Sequence, residues 1–401
     1  MFPASSLIVG WMLGSHSQIS HKSTTVLLAP PLRACHRSST ESSPEQRDNE
    51  GHTILEDSWN PSINEGETEK PFTAVQSYMD HVLSALPGQA VAVDFKALDG
   101  TDLDDIRLVP ETFHRFYRGQ LEDFAESSSG KKKNLKRRTQ SFRLDLAYRG
   151  TDFCGWQTQQ DPNQQQQQSN QLPAVQDVVQ AALNGRNVRV AGRTDAGVHA
   201  VGQVARVRCD ATLTASELEQ ELREARTGSS WACRRVMAVS HGFHPTFGAT
   251  SRSYVYLLDA NTQLKEKCGN IQDLTSRLNA LLAPLQGETL PFIAFSYGRL
   301  KTKTSDCTLH HAQARYLQMN DHYPVVAIEL TGDRFLRRMV RILVATALRL
   351  AANTESNDTT FDSQSLLNLV QTQDRRQAAL PAPAEGLVFV SACFDPPSDS
   401  I

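Results

Sequence analysis

The sequence predicts an α+β fold with a largely antiparallel sheet. Residues 141–148 alternate apolar and polar side chains, which is the period of a strand with one buried face. Residues 175–183 repeat Val, Ala and Leu at helical spacing and end at Asn184-Gly185, a common helix stop. Strand and helix patterns follow one another without regular β-α alternation, which favours an antiparallel sheet over a parallel one.

The same patterns recur in two consecutive stretches of chain. The first predicts strands at Ser141–Tyr148, Val188–Val190, Gln203–Arg208 and Arg234–Val239, with helices at Val175–Leu183 and Ala215–Arg226. The second begins near Phe247 and predicts strands at Ser253–Leu258, Ala312–Leu317, Val325–Leu330 and Leu387–Cys393, with helices at Leu274–Leu282, Arg334–Leu350 and Ser363–Val370. We therefore divide the body into an N-terminal half over 141–246 and a C-terminal half over 247–398.

Composition limits the class of protein. The chain has 401 residues, 39% of them hydrophobic, which is enough for two or three domains. From Thr139 onward there are 26 Lys and Arg against 25 Asp and Glu, which leaves 15 and 19 of the totals of 41 and 44 for the acidic N-terminal third. Seven scattered cysteines without a Cys-x-x-Cys pair argue against a disulfide framework and a cysteine zinc site. The sequence contains no run of eighteen apolar residues, so it predicts no transmembrane helix.

The region before the body reads as an extension in three parts. Residues 1–40 lack Asp and Glu and are rich in Ser and Thr, a composition shared by organellar transit peptides and by plain disordered tails. Together with the polar stretch to 71 they form a predicted disordered leader and linker. Residues 72–125 predict a small accessory segment without an assigned role, and residues 126–140 a flexible basic linker. This leader favours an organelle, chloroplast or mitochondrion, over the nucleus or cytoplasm.

The segment 191–200, Ala-Gly-Arg-Thr-Asp-Ala-Gly-Val-His-Ala, carries the first candidate for chemistry. Its glycines permit a tight bend or the close approach of a ligand. Arg193 can hold a carboxylate or a phosphate by paired hydrogen bonds. An ionised Asp195 in such a loop is a candidate nucleophile. The alternative is that Asp195 only caps a turn.

A second candidate is the predicted helix Arg334–Leu350. Four arginines at positions i, i+3, i+4 and i+7 fall on one face of that helix, and their mutual repulsion is consistent with a polyanionic partner. They are Arg334, Arg337, Arg338 and Arg341. The alternative is a helix side that only faces solvent.

Six motifs in one order resemble the TruA family of tRNA pseudouridine synthases, and the resemblance covers roughly residues 141–395. The motifs are Tyr148-x-Gly150-Thr151-Asp152-Phe153-x-Gly155-Trp156-Gln157, Val175-Gln176, Gly192–Ala200, Arg252-x-Tyr254-x-Tyr256, Gly332-Asp333-x-Phe335-Leu336-x-x-Met339-Val340-Arg341 and Pro381-Ala382-Pro383-Ala384-x-Gly386-Leu387.

The resemblance implies two ferredoxin-like or RNA-recognition-like halves that share one sheet, the pseudouridine synthase fold. It implies isomerisation of uridine in the anticodon stem-loop of tRNA, around positions 38–40, without a cofactor or a metal. Asp195 would be the catalytic carboxylate, Arg341 its partner and Tyr254 the residue that packs on the base. Arg193 and Arg252, with the arginines at 334, 337 and 338, would bind RNA. Bacterial relatives suggest a homodimer, and no membrane partner is expected.

Two departures from the family pattern bear on RNA contact. The chain has Thr246 where family members usually carry Arg, and it has a glutamine tract at Gln164–Gln168. The competing hypothesis is a catalytically inactive RNA-binding or tRNA-folding protein on the same scaffold. The joint presence of the Asp, Tyr and Arg of the site argues against it.

Overall fold

The computed structural model describes residues 72–84, 95–99, 108, 139–157, 172–226, 228, 230–300, 302–320, 323–352 and 361–394. The predicted leader and linker over 1–71, the basic run up to Arg138 and the glutamine tract lie outside these residues, as does most of the accessory segment. The compartment prediction depends on the leader and stays a prediction.

Ten strands and seven α-helices are found in the described residues. In chain order they are α1 (Thr73–Ser84), β1 (Phe95–Ala97), β2 (Thr139–Tyr148), α2 (Val175–Ala182), β3 (Val188–Val190), β4 (His199–Asp210), α3 (Ala215–Glu224), β5 (Trp231–Val239), β6 (Ala249–Asp259), α4 (Thr262–Cys268), α5 (Ile271–Leu282), β7 (Thr289–Pro291), β8 (Asp306–Met319), β9 (Tyr323–Gly332), α6 (Met339–Ala352), α7 (Ser365–Thr372) and β10 (Leu387–Phe394). Short 3₁₀ turns lie at Gly150–Asp152, Ala283–Leu285, Phe292–Phe295, Arg375–Gln377 and Ala384–Gly386.

One large sheet runs through the body in the order β1-β8-β9-β6-β10-β4-β2-β5, with β3 beside β4 and β7 beside β8. Every pairing is antiparallel except the one in the middle, where β10 and β4 run parallel and pair Val388 with His199. Strands from the first stretch of chain lie on one side of this junction and strands from the second lie on the other. The α+β class with a largely antiparallel sheet is therefore confirmed.

Strand β2 differs from its prediction, because both of its faces are buried. Phe142 and Leu144 pack into the apolar core on one face, as the alternation predicts. On the other face Arg143 donates to the carboxylate of Asp145 at 2.6 Å. Arg235 on the neighbouring strand β5 donates to the same carboxylate at 2.8 Å. A buried charge is stable only when it is paired, and this network supplies the partners.

The accessory segment contributes a helix to the body. Helix α1 packs on β2, β4, β6 and β9 and buries six residues of its inner face. Its first two backbone N–H groups donate to the carboxylate of Asp259, which satisfies donors that a helix start leaves open. Phe72, just before it, packs edge-on against Tyr256 with ring centres 6.3 Å apart. Strands from both sides of the parallel junction thus share one covering helix.

Within the described ranges, no helix has the length and hydropathy that crossing a bilayer requires.

Candidate active site

The loop that carries Asp195, residues 191–198, connects β3 to β4. The backbone N–H of Ala191 still donates to Val204 of β4 at 2.8 Å, so the sheet holds the start of the loop. Its end is a turn in which the N–H of Val198 donates to the carbonyl of Asp195 at 3.2 Å. Gly197 has a φ of +83°, a left-handed conformation that favours glycine. Asp195 therefore projects from a short, braced turn.

A buried polar network fixes this loop from below. The hydroxyl of Tyr148 lies 2.9 Å from the Thr194 hydroxyl. The amide of Gln203 donates to that same tyrosine oxygen at 3.2 Å and to the carbonyl of Gly192 at 2.7 Å. Burial raises the pKa of Tyr148 to about 12, so its phenol stays neutral. Gln203 and Tyr148 therefore couple β4 and β2 to two points of the loop.

The segment after β2 packs directly on the same loop, and glycine makes this possible. A Cβ at Gly150 would lie 2.1 Å from the carbonyl oxygen of Val198, a collision with backbone. A Cβ at Gly155 would lie 3.1 Å from both Ala196 N and the carbonyl of Thr194. The N–H of Trp156 donates to that threonine carbonyl at 3.1 Å. The spacing of the first motif thus reflects contact with the Asp195 loop.

Two guanidinium groups face the Asp195 carboxylate. Nη1 of Arg341 lies 3.6 Å and Nε of Arg338 lies 3.9 Å from Oδ2 of Asp195. Both distances are those of ion pairs rather than close hydrogen bonds, so the carboxylate is held electrostatically and its oxygens stay accessible. The side chain of Asp195 is 32% exposed. An accessible carboxylate beside fixed cations suits a nucleophile or a stabiliser of positive charge.

Two hydrogen bonds to Ala382 hold Arg341 in position beside Asp195. Its Nε donates to the carbonyl of Ala382 at 2.6 Å, and the N–H of Ala382 donates back to the carbonyl of Arg341 at 3.1 Å. Burial lowers the pKa of Arg341, and the nearby Asp195 charge opposes that shift. The C-terminal Ala-Pro-Ala turn therefore holds this guanidinium in place.

The predicted helix Arg334–Leu350 starts five residues late, and the prediction of four arginines on one helical face is wrong. Arg338 has a φ of +57°, which no helix interior accepts, and the helix begins at Met339. Arg334 turns away and donates to Thr302 and Thr304, each at 2.9 Å. Arg337, Arg338 and Arg341 still line one cavity, because the turn before the helix aims them there.

This cavity has a volume of about 930 Å³ and opens between the Asp195 loop and the start of α6. Tyr254 of β6 lies in its wall and is held edge-on between Phe335 and Phe389, with ring centres 5.1 Å from each. Burial raises the pKa of Tyr254, and the charge of Asp195 adds to that rise. A neutral, half-buried phenol that lines the same cavity as the carboxylate is suited to pack on a base and to relay a proton.

Tyr297 is a site residue that the sequence reasoning missed. Its ring lies 4.0 Å from the guanidinium carbon of Arg338 and 5.4 Å from that of Arg337, both within cation-π range. Its backbone N–H donates to the carbonyl of Arg337 at 3.0 Å. The segment 292–302 has no periodic pattern, and nothing in its composition signals the contact.

The side chain of Arg252, on β6, connects three other segments of the chain by hydrogen bonds. It donates to the carbonyls of Ala191 at 3.2 Å, Thr246 at 2.6 Å and Asp333 at 2.9 Å. Thr246 in turn donates from its hydroxyl to the carbonyl of Val190 at 2.6 Å. Arg252 thereby joins three segments that converge on the site, so much of its donor capacity is used within the protein.

Arg193, by contrast, is exposed and lines the cavity, and its side chain makes no hydrogen bond or ion pair with a described residue. The structure thus brings Asp195, Tyr254, Arg341, Arg338, Arg337 and Arg193 to one cavity, whereas Arg252 and Arg334 lie beyond its wall. No group of three or more metal-ligating side chains is found within the described part of the chain.

His199 is buried at the base of the loop, and its Nδ1 accepts the N–H of Gly150 at 3.2 Å. Burial lowers its pKa from 6.5 to about 4, the Arg149 charge adds to the effect, and the backbone of Glu385 opposes it. Between pH 6.5 and about pH 4, His199 therefore binds a proton in the unfolded chain but not in the folded chain. We expect the free energy of unfolding to fall by up to about 3 kcal/mol as pH drops from 6.5 to 4.

Urea denaturation of wild type and His199→Asn at pH 7 and pH 4.5 checks this expectation, since Asn keeps an acceptor but does not titrate. The variant should lose clearly less stability between the two pH values. His81→Asn, at an exposed histidine, serves as the control and should behave as wild type. Equal losses in wild type and His199→Asn would contradict the prediction.

Comparisons with known proteins identify relatives of this chain. A family model described as tRNA pseudouridine synthase matches residues 292–395. The tRNA pseudouridine synthase A of Porphyromonas gingivalis is 31% identical over 265 residues, which cover 64% of this chain and 98% of that protein. The enzyme of the same name from Chloroflexus aurantiacus is 30% identical over 63% of this chain and 88% of its own length. The one from Latilactobacillus sakei is 30% identical over 62% of this chain and 96% of its own length.

Among solved structures, a Cbf5-Nop10-Gar1 complex aligns with a TM-score of 0.25 and 11% identity, over 55% of this chain and 45% of that chain. The relatives match over nearly their full length, and they carry the name of an isomerase. This chain therefore belongs to the TruA family of tRNA pseudouridine synthases.

Proposed function

We propose that this protein converts uridine to pseudouridine in the anticodon stem-loop of tRNA, around positions 38–40, with Asp195 as the catalytic carboxylate. One observation carries the proposal. An accessible carboxylate lies 3.6 Å from the guanidinium of Arg341, whose side chain is 14% exposed, in a cavity of about 930 Å³ that is also lined by Tyr254. The family relatives supply the reaction class, because they are named for it.

The chemistry needs what this cavity offers. The N1–C1′ bond of uridine breaks, the freed base rotates, and the C5–C1′ bond forms. C5 then loses its proton and N1 gains one, so the product is an isomer of the substrate. Positive charge develops on the sugar while the glycosidic bond breaks. Asp195 acts there, either by bonding to C1′ or by stabilising that charge. Arg341 holds the carboxylate in place through their ion pair.

Tyr254 serves the base. Its edge-on contacts with Phe335 and Phe389 fix the ring plane, and Leu387 adds an apolar surface to the same wall. A detached uracil needs such a surface in order to rotate without leaving. The neutral hydroxyl of Tyr254 can accept a proton only as it releases its own, so it acts as a relay rather than as an ionised base.

Arg193, Arg337 and Arg338 bind RNA in this proposal. A uridine inside a stem must leave its stack, at a cost of a few kcal/mol, before its C1′ can reach a carboxylate. The exposed Arg193 and Arg337 and the half-buried Arg338 line the cavity and offset that cost by contacting the phosphates on either side. Arg252 and Arg334 contribute by holding the segments that shape the cavity. The homodimer that the resemblance implies stays a prediction, and light scattering of the purified chain measures it.

Carbodiimide labelling tests the function. An unmodified tRNA transcript is incubated with the purified chain, treated with carbodiimide and mild alkali, and read by reverse transcription, which stops at labelled pseudouridine. We expect stops around positions 38–40 and none with a heat-denatured sample. Stops only at distant positions would overturn the target assignment, and their complete absence would overturn the activity.

A further inference from the structure

Outside the cavity, the turn at residues 244–248 holds an aromatic side chain out in solvent. Phe247 is 86% exposed, far more than the other large apolar side chains with high exposure in the described residues, Leu172 at 49% and Phe361 at 37%. An isolated exposed apolar side chain is common on a protein surface. This one differs from that common case because of how it is held and what surrounds it.

The ring of Phe247 is held in a defined orientation. It lies against the imidazole of His244 with ring centres 4.6 Å apart and an interplanar angle of 31°. The backbone of the turn is closed by the N–H of Gly248, which donates to the carbonyl of His244 at 2.8 Å, and a Cβ at Gly248 would lie 2.8 Å from that oxygen. The turn therefore presents one face of a fixed aromatic pair to solvent.

Cations surround this pair. Arg189 of β3 lies directly opposite Arg206 of β4, and Arg208 follows two residues later on the same side of β4. Arg206 is buried and donates to the carbonyl of Phe243 at 2.8 Å, while Arg189 and Arg208 are exposed. Residues 240–248, which include the turn, contain no Asp or Glu. Arg208 makes no hydrogen bond or ion pair with any residue that the structure describes.

Two donors face the imidazole of His244. Its Nδ1 lies 3.2 Å from the backbone N of Phe247, and its Nε2 lies 3.2 Å from Nη1 of Arg189. A neutral imidazole accepts through one nitrogen only, so one of these two contacts joins two donors. A phosphate oxygen beside Arg189 would supply the missing acceptor.

The group is connected to the catalytic cavity through one residue. Arg252 donates to the carbonyl of Thr246, next to Phe247, and to the carbonyl of Ala191, at the start of the Asp195 loop. The turn and the start of the Asp195 loop are therefore held by the same side chain.

From these observations we propose that Phe247 and His244 form a stacking platform for an unpaired base of the bound tRNA, while Arg189 and Arg208 contact the phosphates that flank that base. The proposal rests on the proposed function, since it takes tRNA as the ligand. Stacking on an aromatic face tolerates any base, so the platform supplies affinity and not base choice. It would also offset the cation that this chain lacks at Thr246.

Binding of a full-length tRNA transcript, followed by fluorescence anisotropy, tests the platform. Phe247→Ala should weaken binding about tenfold, and Phe247→Trp should keep the affinity of wild type. Leu172→Ala is the matched control for an exposed apolar side chain and should change nothing. At saturating tRNA the kcat of Phe247→Ala should equal that of wild type, because the ring does not touch the reacting nucleotide.

The salt dependence of tRNA binding tests the proposed phosphate contacts of Arg189 and Arg208. The double variant Arg189→Gln/Arg208→Gln should reduce the slope of log Kd against log salt concentration by about 1.5, whereas Arg223→Gln on the exposed face of α3 should leave it unchanged. Wild-type affinity in Phe247→Ala, or a full slope in the double variant, overturns the platform even if the enzyme is active. Failure of the proposed function is a different result, namely no carbodiimide label with wild type.

Discussion

Asp195→Asn is expected to lower kcat on tRNA by at least about a thousandfold, while the affinity for tRNA stays the same or increases. The amide has nearly the shape of the carboxylate but carries no charge to bond to C1′ or to stabilise it. The ion pairs with Arg341 and Arg338 are also lost, which frees two guanidinium groups for phosphate. Carbodiimide labelling over multiple turnovers at saturating tRNA gives kcat, and anisotropy gives Kd.

Asp210→Asn is the control for this substitution, since that carboxylate lies exposed at the far end of β4. Its kcat and Kd should match those of wild type. If Asp195→Asn retained more than about a tenth of the wild-type rate, position 195 would not be the catalytic carboxylate. A large loss of tRNA affinity instead of kcat would assign Asp195 to the shape of the loop.

Arg341→Gln is expected to lower kcat by about a hundredfold, as loss of a fixed charge from an active site commonly does. The glutamine keeps a donor for the carbonyl of Ala382 but removes the positive charge 3.6 Å from Asp195. Arg341→Lys should recover part of the rate, because it restores the charge without the planar fork. Arg349→Gln on the same helix should leave kcat unchanged.

A double-mutant cycle separates this role from general damage. If Arg341 acts through Asp195, the variant with both substitutions should be hardly slower than Asp195→Asn alone. Losses that multiply would show that the two residues act independently. An Arg341→Gln protein with an unfolding midpoint well below that of wild type would show that the arginine supports the fold rather than the reaction.

Sequence patterns predicted the elements of this fold that depend on local periodicity. Alternation located β2 and the strands around β6, and the spacing of Val and Ala located α2. Observed strands extend beyond the predicted ones, as β8 does at Asp306–Met319 against 312–317, because pairing with a neighbour continues after the apolar pattern fades. The parallel junction of β10 with β4 joins residues far apart in the chain, and no local pattern reports it.

The site was predictable to the extent that it rests on motif residues. Asp195, Tyr254 and Arg341 come together as the resemblance implied, although their roles stay predictions. The start of α6 was not predictable, because a left-handed Arg338 is held by tertiary contact with Tyr297 and not by its own preference. The double-sided burial of β2 was hidden for the same reason: Arg143 and Asp145 look solvent-facing until their partners are known.

Helix α1 sets a boundary for any proteolytic trimming of the amino-terminal segment. Cleavage upstream of Phe72 would keep the contact of Phe72 with Tyr256 and the hydrogen bond from Thr73 to the carboxylate of Asp259. Cleavage within α1 would strip an apolar cover from four strands and leave Tyr78, Met79 and Val82 without the surfaces that bury them. A mature form of this enzyme should therefore begin before residue 72, and the mass of the purified native protein will show whether it does.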